Sequence, residues 1–303
     1  MVMAVPESGD SDVTVAERLH LKLAELTPAE RKVARALLAE YPVRGLQPVA
    51  KLAATAGVSA PTVIRLVSKL SFDSYAGFQR SLKSEVSARL SSPLTVHAGR
   101  SAARHDGDVL SQAEQVFCEG IRSSFARLPR LEFEHAVRLL ADPRRSVTMI
   151  GGRFSWMLAE YLAANLRMLR SDVHVVGSIG ADRTSTLLDI GRRDVLVAFD
   201  YRRYQHDTAR AAVMAKERGA TLIAFTDPYL SPLAAHADVI LTSSVQSTSP
   251  FISLTAALAV VEAVVTALLD RLGDLALERM GRWDGLYAGM VGDSGNTQPT
   301  EEE

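Results

Sequence analysis

The stretch Lys51-Leu-Ala-Ala-Thr-Ala-Gly-Val-Ser-Ala-Pro-Thr-Val-Ile-Arg-Leu-Val-Ser-Lys69 reads as two short helices joined by a tight turn. The first is predicted from about Pro48 to Ala56 and the second from about Ala60 to Leu70. Gly57 falls where the first must end, because glycine takes the left-handed backbone of a C-terminal cap without a Cβ clash. Ser59 offers a hydroxyl to the free N–H groups of the second helix. Pro61 suits its first turn, where no N–H partner is needed. Leu52, Ala53, Ala56, Val58, Val63, Leu66 and Val67 form one apolar seam between the helices. Thr62, Ile64, Arg65, Ser68 and Lys69 are left to face other directions. This is the pattern of a helix-turn-helix, whose second helix enters the major groove of DNA.

The neighbouring sequence completes an all-helical unit. Val15 to Leu26 has helical spacing, and Thr27-Pro-Ala-Glu30 is a capping box. The helix it starts carries Val33, Ala34, Leu37 and Leu38 on one face and ends near Tyr41-Pro42. Phe72 to Phe78 turns into a further helix with Phe78 and Leu82 inward. Thr27 to Leu90 holds ten Lys/Arg against four Asp/Glu, so a formal net charge of −1 for the whole chain hides a basic segment on an acidic body. Such a segment suits a polyanion.

At 303 residues there is length for a second core. The predicted organisation is a helical domain at 14–90, a linker at 91–107, a second domain at 108–290 and polar tails at 1–13 and 291–303. Asp108 to Leu128 and Leu131 to Ala141 are amphipathic. After Pro143 short apolar strands alternate with helices: Val147–Ile150, Val173–Val176, Val195–Phe199, Thr221–Thr226 and Val239–Thr242. Near-continuous apolar strands in that rhythm imply a five-stranded parallel sheet flanked by helices. Ile252 to Leu269 is apolar enough to suggest a membrane span, but Glu262, Ser253, Thr255 and Thr266 interrupt it, and a helix packed on the sheet explains it better. The single cysteine, Cys118, excludes an internal disulfide, and the N-terminus lacks the pattern of a signal peptide, so a cytoplasmic setting is expected.

With both halves in view, the chain resembles the RpiR-type transcriptional regulators, in which a helix-turn-helix domain precedes a sugar isomerase (SIS) domain. The resemblance rests on Leu26-Thr-Pro-Ala-Glu-Arg31, Leu52-Ala-Ala-Thr-Ala-Gly-Val-Ser59, Thr62-Val-Ile-Arg65, Lys69-Leu-Ser-Phe72 and Gly219-Ala-Thr-Leu-Ile-Ala-Phe-Thr-Asp227. It implies an all-α helix-turn-helix domain followed by an α/β SIS domain. It also implies a homodimer or homotetramer on a palindromic double-stranded operator, responding to phosphorylated sugars. The family usually has glycine where this chain has Ser71.

On the DNA side the candidates are Lys51, Ser59, Thr62, Arg65, Ser68 and Lys69. Arg65 suits base reading, since a guanidinium grips guanine O6 and N7 together. Ser59 and Thr62 suit phosphate, with Lys51 or Lys69 adding charge. On the ligand side the strand C-termini select two loops. The first is Gly151-Gly152-Arg153-Phe154-Ser155, where the resemblance implies Gly-x-Gly-x-Ser; Gly151 and Ser155 match, and Arg153 replaces the second glycine. The second is Asp200 to Thr208, where SIS sites usually carry Ser-x-Ser-Gly-x-Thr. Here Asp200 would repel a phosphate unless it pairs with Arg202 or Arg203, and Thr208 keeps a capping hydroxyl. A phosphosugar, another anionic metabolite and a ligand-free domain all stay open. Thr184, Ser185, Thr226 and Ser247 are weaker lining candidates. No residue set calls for a metal or a cofactor. An isomerase would need a general base, for which only His206, Glu160 and Glu262 are candidates. The readings are thus a ligand-sensing regulator, an isomerase-type enzyme, or a constitutive DNA-binding protein with a purely dimerising SIS domain.

Overall fold

The computed structural model describes residues 13–90, 94, 108–177 and 181–291. The expected linker and both expected tails fall almost wholly outside the described residues. The N-terminal part holds α1 (Val15–Lys22), α2 (Pro28–Ala39), α3 (Val49–Ala56), α4 (Ala60–Lys69) and α5 (Tyr75–Leu90). Two capping boxes start it. Thr27 Oγ1 accepts from Glu30 N while Glu30 Oε2 accepts from Thr27 N at 2.8 Å. Thr14 and Glu17 repeat the device at α1, which the sequence reading did not single out. Gly57 closes α3 at φ 63°, as a left-handed cap requires. Leu52, Ala53, Val63, Leu66, Val67, Phe78 and Leu82 fill one helical core, with Ala56 and Val58 packed on its edge.

Two departures occur here. Ser59 stands at the N-cap of α4, but its hydroxyl pairs with Thr62 Oγ1 at 3.0 Å instead of a backbone N–H. Thr62 does not face outward; it is buried, because it falls one position before Val63 on the seam side of the helix. Ser71 adopts φ 65°, so the turn keeps the left-handed backbone for which glycine is the unstrained residue.

The second part opens with α6 (Val109–Arg127) and α7 (Arg130–Ala141), then alternates β1 (Ser146–Gly151), α8 (Trp156–Leu169), β2 (Val173–Val175), α9 (Ala181–Asp189), β3 (Asp194–Phe199), α10 (His206–Glu217), β4 (Thr221–Thr226), β5 (Val239–Thr242), α11 (Thr255–Leu272) and α12 (Asp274–Val291). The five strands are all parallel, in the order β2-β1-β3-β4-β5. Side chains alternate across each strand. Val147, Met149, Val195, Val197, Phe199, Ile223 and Phe225 face a layer made by α7, α8 and α11. Ile150, Leu196, Ala198, Leu222 and Ala224 face α10 on the other side. The apolar run after Ile252 is therefore accounted for: Ala257, Val260, Val261, Val264 and Leu268 of α11 lie in the sheet core, and Glu262 points out to Tyr161. No described helix is long and apolar enough to cross a membrane.

The two parts touch directly. Thr14 Oγ1 donates to Pro228 O at 2.7 Å, Arg127 lies 3.8 Å from Glu17, and Ala16 packs with Leu230 and Ala234. The loop after β4 is thus the seat of the helical part.

Gly151 fixes the distance between β1 and α8. A Cβ there would stand 2.4 Å from Trp156 Cα and 2.5 Å from its N, backbone that cannot step aside. Gly151→Ala is expected to cost about 1–3 kcal/mol in denaturant unfolding through overpacking, and to disturb the cavity described next.

Candidate functional site

On α4 the outward stripe is Pro61, Ile64, Arg65 and Ser68, spaced to lie on one helix face. Arg65 is exposed, and its guanidinium rests on Thr62 Oγ1 at 3.2 Å. Buried Thr62 therefore orients the arginine and has no open path to a phosphate. Lys51, Ser59 and Ser68 are exposed around this face. Lys69 is committed elsewhere: its Nζ donates to Glu30 Oε2 at 2.8 Å and to Glu25 O at 3.4 Å. Burial opposes ionisation of Glu30, but hydrogen bonds from Lys69 and Thr27 outweigh it and hold the carboxyl below its ordinary range. Lys69 thus ties α4 to α2. Ile64, 41% exposed, was not singled out as a reader; an exposed branched alkyl group on such a face suits the thymine methyl.

The second site is a cavity of about 750 Å³ at the C-terminal ends of the strands. β1 and β3 lie side by side there, and the chain leaves them toward opposite edges of the sheet. Such a switch point opens a crevice in a parallel sheet. Gly152, Arg153 and Ser155 form one wall, and Asp200, Tyr201, Arg202, Arg203 and Gln205 another. Val245 to Leu254, between β5 and α11, closes the third side with Gln246, Ser247, Ser249 and Phe251.

The interior bonding is specific. Ser155 Oγ donates to Phe199 O at 2.7 Å and accepts from Gly152 N at 3.0 Å, pinning the β1–α8 loop to the end of β3. Asp200, 1% exposed, does not pair with Arg202 or Arg203. Its Oδ1 accepts from Gln205 N at 3.0 Å and its Oδ2 accepts from Ser231 Oγ. Burial pushes its carboxyl up to about 7, helped by the charges of Asp227 and Asp207 and opposed by those two hydrogen bonds. Neither arginine reaches it. The Arg202 guanidinium stacks on the Tyr229 ring at 4.5 Å, with its buried Nε lacking a hydrogen-bond partner among the described residues. Arg203 is exposed in a left-handed turn at φ 72°, and Arg153 lies over Phe154 at 4.7 Å.

Gly151 and Thr208 sit behind the floor and do not line the cavity. Thr208 does not cap α10; its hydroxyl reaches Gly151 O at 3.4 Å, and both bond to Arg183. Arg183, 7% exposed, also holds Asp207 at 3.1 Å and Gly177 O at 3.1 Å. It lies on α9, a helix with too little apolar patterning for sequence reading to find. Thr226 is buried under Ser231 N, while Thr184 and Ser185 lie on α9 away from the lining; Ser247 does line the cavity. Glu160, His206 and Glu262 are not among the lining residues.

The folded chain thus joins a helix-turn-helix to a parallel α/β domain with a crevice at its switch point. Residues 13–91 match the helix-turn-helix domain of the rpiR family, and residues 139–267 match the SIS domain. The chain is a member of the RpiR type, in which these two domains follow one another. The sugar isomerase domain of an RpiR transcription factor from Sphaerobacter thermophilus is 26% identical, with a TM-score of 0.56 over 59% of this chain and 99% of that one. The NanR protein of Vibrio vulnificus, complexed with ManNAc-6P, is 18% identical with a TM-score of 0.52 over 91% of this chain and 99% of its own. Among curated proteins, the bifunctional protein glk of Paraburkholderia xenovorans is 28% identical over 239 residues, 77% of this chain; the match spans 36% of that protein's length. An uncharacterised HTH-type transcriptional regulator of Haemophilus influenzae is 23% identical over 71% of this chain and 75% of its own.

Two measurements test the site geometry. Arg65→Ala is expected to weaken binding to an operator selected from random duplexes by about 1–3 kcal/mol while leaving random-duplex binding nearly unchanged, read by fluorescence anisotropy. For Asp200, the folded carboxyl titrates near 7 against an ordinary 3.8. A raised pKa means the native state holds the proton more tightly, so its contribution to stability is full below pH 3.8 and is lost as pH rises through about 7. Asp200→Asn is therefore expected to flatten the fall in Tm across that window in thermal melts.

Proposed function

We propose that this chain is a DNA-binding transcriptional regulator whose SIS-domain cavity senses a small metabolite carrying an anionic group, with phosphorylated sugars the first class to test. The observation that carries the proposal is that the cavity loop is bonded to the loop on which the helical domain sits. Asp227 at the end of β4 accepts from Arg202 N at 2.5 Å, from Tyr204 OH at 2.9 Å and from Tyr229 N at 2.9 Å. On the far side of the same loop, Arg89 of α5 donates to Tyr229 O at 2.8 Å and to Leu230 O, and to Tyr41 O at 3.0 Å. Its guanidinium lies 5.3 Å from the Tyr41 ring and 5.5 Å from the Tyr204 ring.

A ligand shifts an equilibrium only by its differential affinity for the two states. Here a ligand drawn to Arg202 pulls on a residue whose N–H is bound to Asp227, two residues from the carbonyl that Arg89 holds. This gives a direct route from cavity to helices besides the linker at 91–107. The chain is read as acting in a homodimer or homotetramer on a palindromic operator, with half-sites about 34–36 Å apart for a simple dimer. The exposed Trp283, Leu286, Tyr287 and Met290 on α12 supply apolar surface for such pairing. The isomerase reading has less support, since Glu160, His206 and Glu262 all stand outside the cavity.

The test is operator affinity of the full chain across a panel of hexose and hexosamine 6-phosphates. A shift of roughly fivefold or more by at least one compound is expected, the usual lower range for allosteric coupling. Arg89→Ala is expected to bind operator and compound separately but to reduce that shift below about twofold. No shift by any compound would favour the constitutive reading, and turnover of a compound lost on His206→Ala would favour the enzyme.

A further inference from the structure

The cavity is electrically lopsided. Its rim carries Arg153, Arg202 and Arg203, whereas its floor carries the carboxylate of Asp200. The loop between them has already spent donors on the protein's own acids: Gln205 N–H on Asp200, and Arg202 N–H on Asp227 of the loop after β4. A ligand anion pushed to the floor would meet a carboxylate where it needs N–H groups.

Asp200 also lacks a direct ion pair among the described residues; the cation it feels, Arg183, acts on it only through space. The charged groups around it are Asp207 and Asp227, both acids, and Arg183, whose guanidinium is engaged by Asp207, Thr208, Gly151 O and Gly177 O. Arg202, two residues on in the same loop, is stacked on Tyr229. Asp200 therefore holds two hydrogen bonds and no ion pair among the described residues. A carboxylate has about four acceptor positions, and a buried one without a cation is costly to keep charged.

We propose that the cavity takes a bipolar ligand: a small polyhydroxylated molecule whose acidic group is held at the rim by Arg153, Arg202 and Arg203 and whose amino group is directed at Asp200. The proposal rests on the ligand-sensing reading above and narrows its ligand class. An ammonium on the floor supplies a counter-charge in direct contact, and the acid end remains beside the arginines. Gly152 keeps the floor open, since a Cβ there would stand 3.7 Å from Asp200 Oδ1 and 2.8 Å from Gln205 Cγ. Charge-assisted hydrogen bonds of this kind are short and strong.

The experiment is calorimetric titration of the full chain with three hexosamine 6-phosphates, glucosamine, mannosamine and galactosamine, each against its hexose 6-phosphate counterpart. At least one amino compound is expected to bind about tenfold or more tighter than its hydroxyl partner. In Asp200→Asn that ratio is expected to fall below about twofold. In Arg153→Ala/Arg203→Ala both members of the pair are expected to weaken together. A readout needing no variant accompanies these: titrated at pH 7 in buffers of different ionisation enthalpy, the amino compound is expected to release protons on binding and the hydroxyl compound to release none. Equal or tighter binding of the hydroxyl series, or an unchanged ratio in Asp200→Asn with no proton release, overturns the polarity and leaves ligand sensing standing. Failure of every compound to bind, with operator binding intact, overturns both.

Discussion

Asp227 is the joint of the molecule. It is fully buried, at the end of β4, and takes hydrogen bonds from the cavity loop and from the loop on which the helical part sits. Burial drives its carboxyl above the ordinary range, while the charge of Arg202 and its hydrogen bonds pull the other way. A buried acid of this kind persists only when its partners are fixed, because each lost hydrogen bond leaves an unpaired charge behind. Its partners hold both loops in register, so cavity and docking surface are tied together through one carboxylate.

The same logic explains why the β3 loop departs from small hydroxyls. Arg202 and Arg203 bring charge to the rim, but their backbone and that of Gln205 still need acceptors. Asp200 and Asp227 supply them. An acid set beside two arginines, Asp200 next to Arg202 and Arg203, looks contradictory in a linear reading. In three dimensions they are separated: acids within, guanidinium groups held outward by stacking on Tyr229 or by exposure.

Most of the architecture was legible in the sequence because it is written in local signals. Gly57, Pro61 and the Thr27–Glu30 box mark helix ends, and apolar runs such as Val195–Phe199 mark strands. What escaped was what depends on distant partners. α9 has a polar composition and is ordered around Arg183, whose partners lie 24 or more residues away in sequence or on other loops. α12 leaves an entire last half exposed, so no buried stripe announces it. In the site, the positions of Arg153, Ser155, Asp200, Arg202 and Arg203 at one cavity follow from strand order, which the alternation of elements predicts. The pairing of Asp200 with Ser231 does not, because it joins residues 31 apart. The third wall, Val245 to Leu254, carries no periodicity and is shaped only by where β5 ends and α11 begins.

Lys69 carries a consequence for how the protein meets DNA. Each cation that neutralises a phosphate releases condensed counterions, and log affinity falls with log salt by about 0.9 per contact. A lysine held by buried Glu30 is already neutralised within the fold. The recognition helix is thus braced by a charge that does not enter this count. Part of the positive balance of the helical segment is spent on its own architecture.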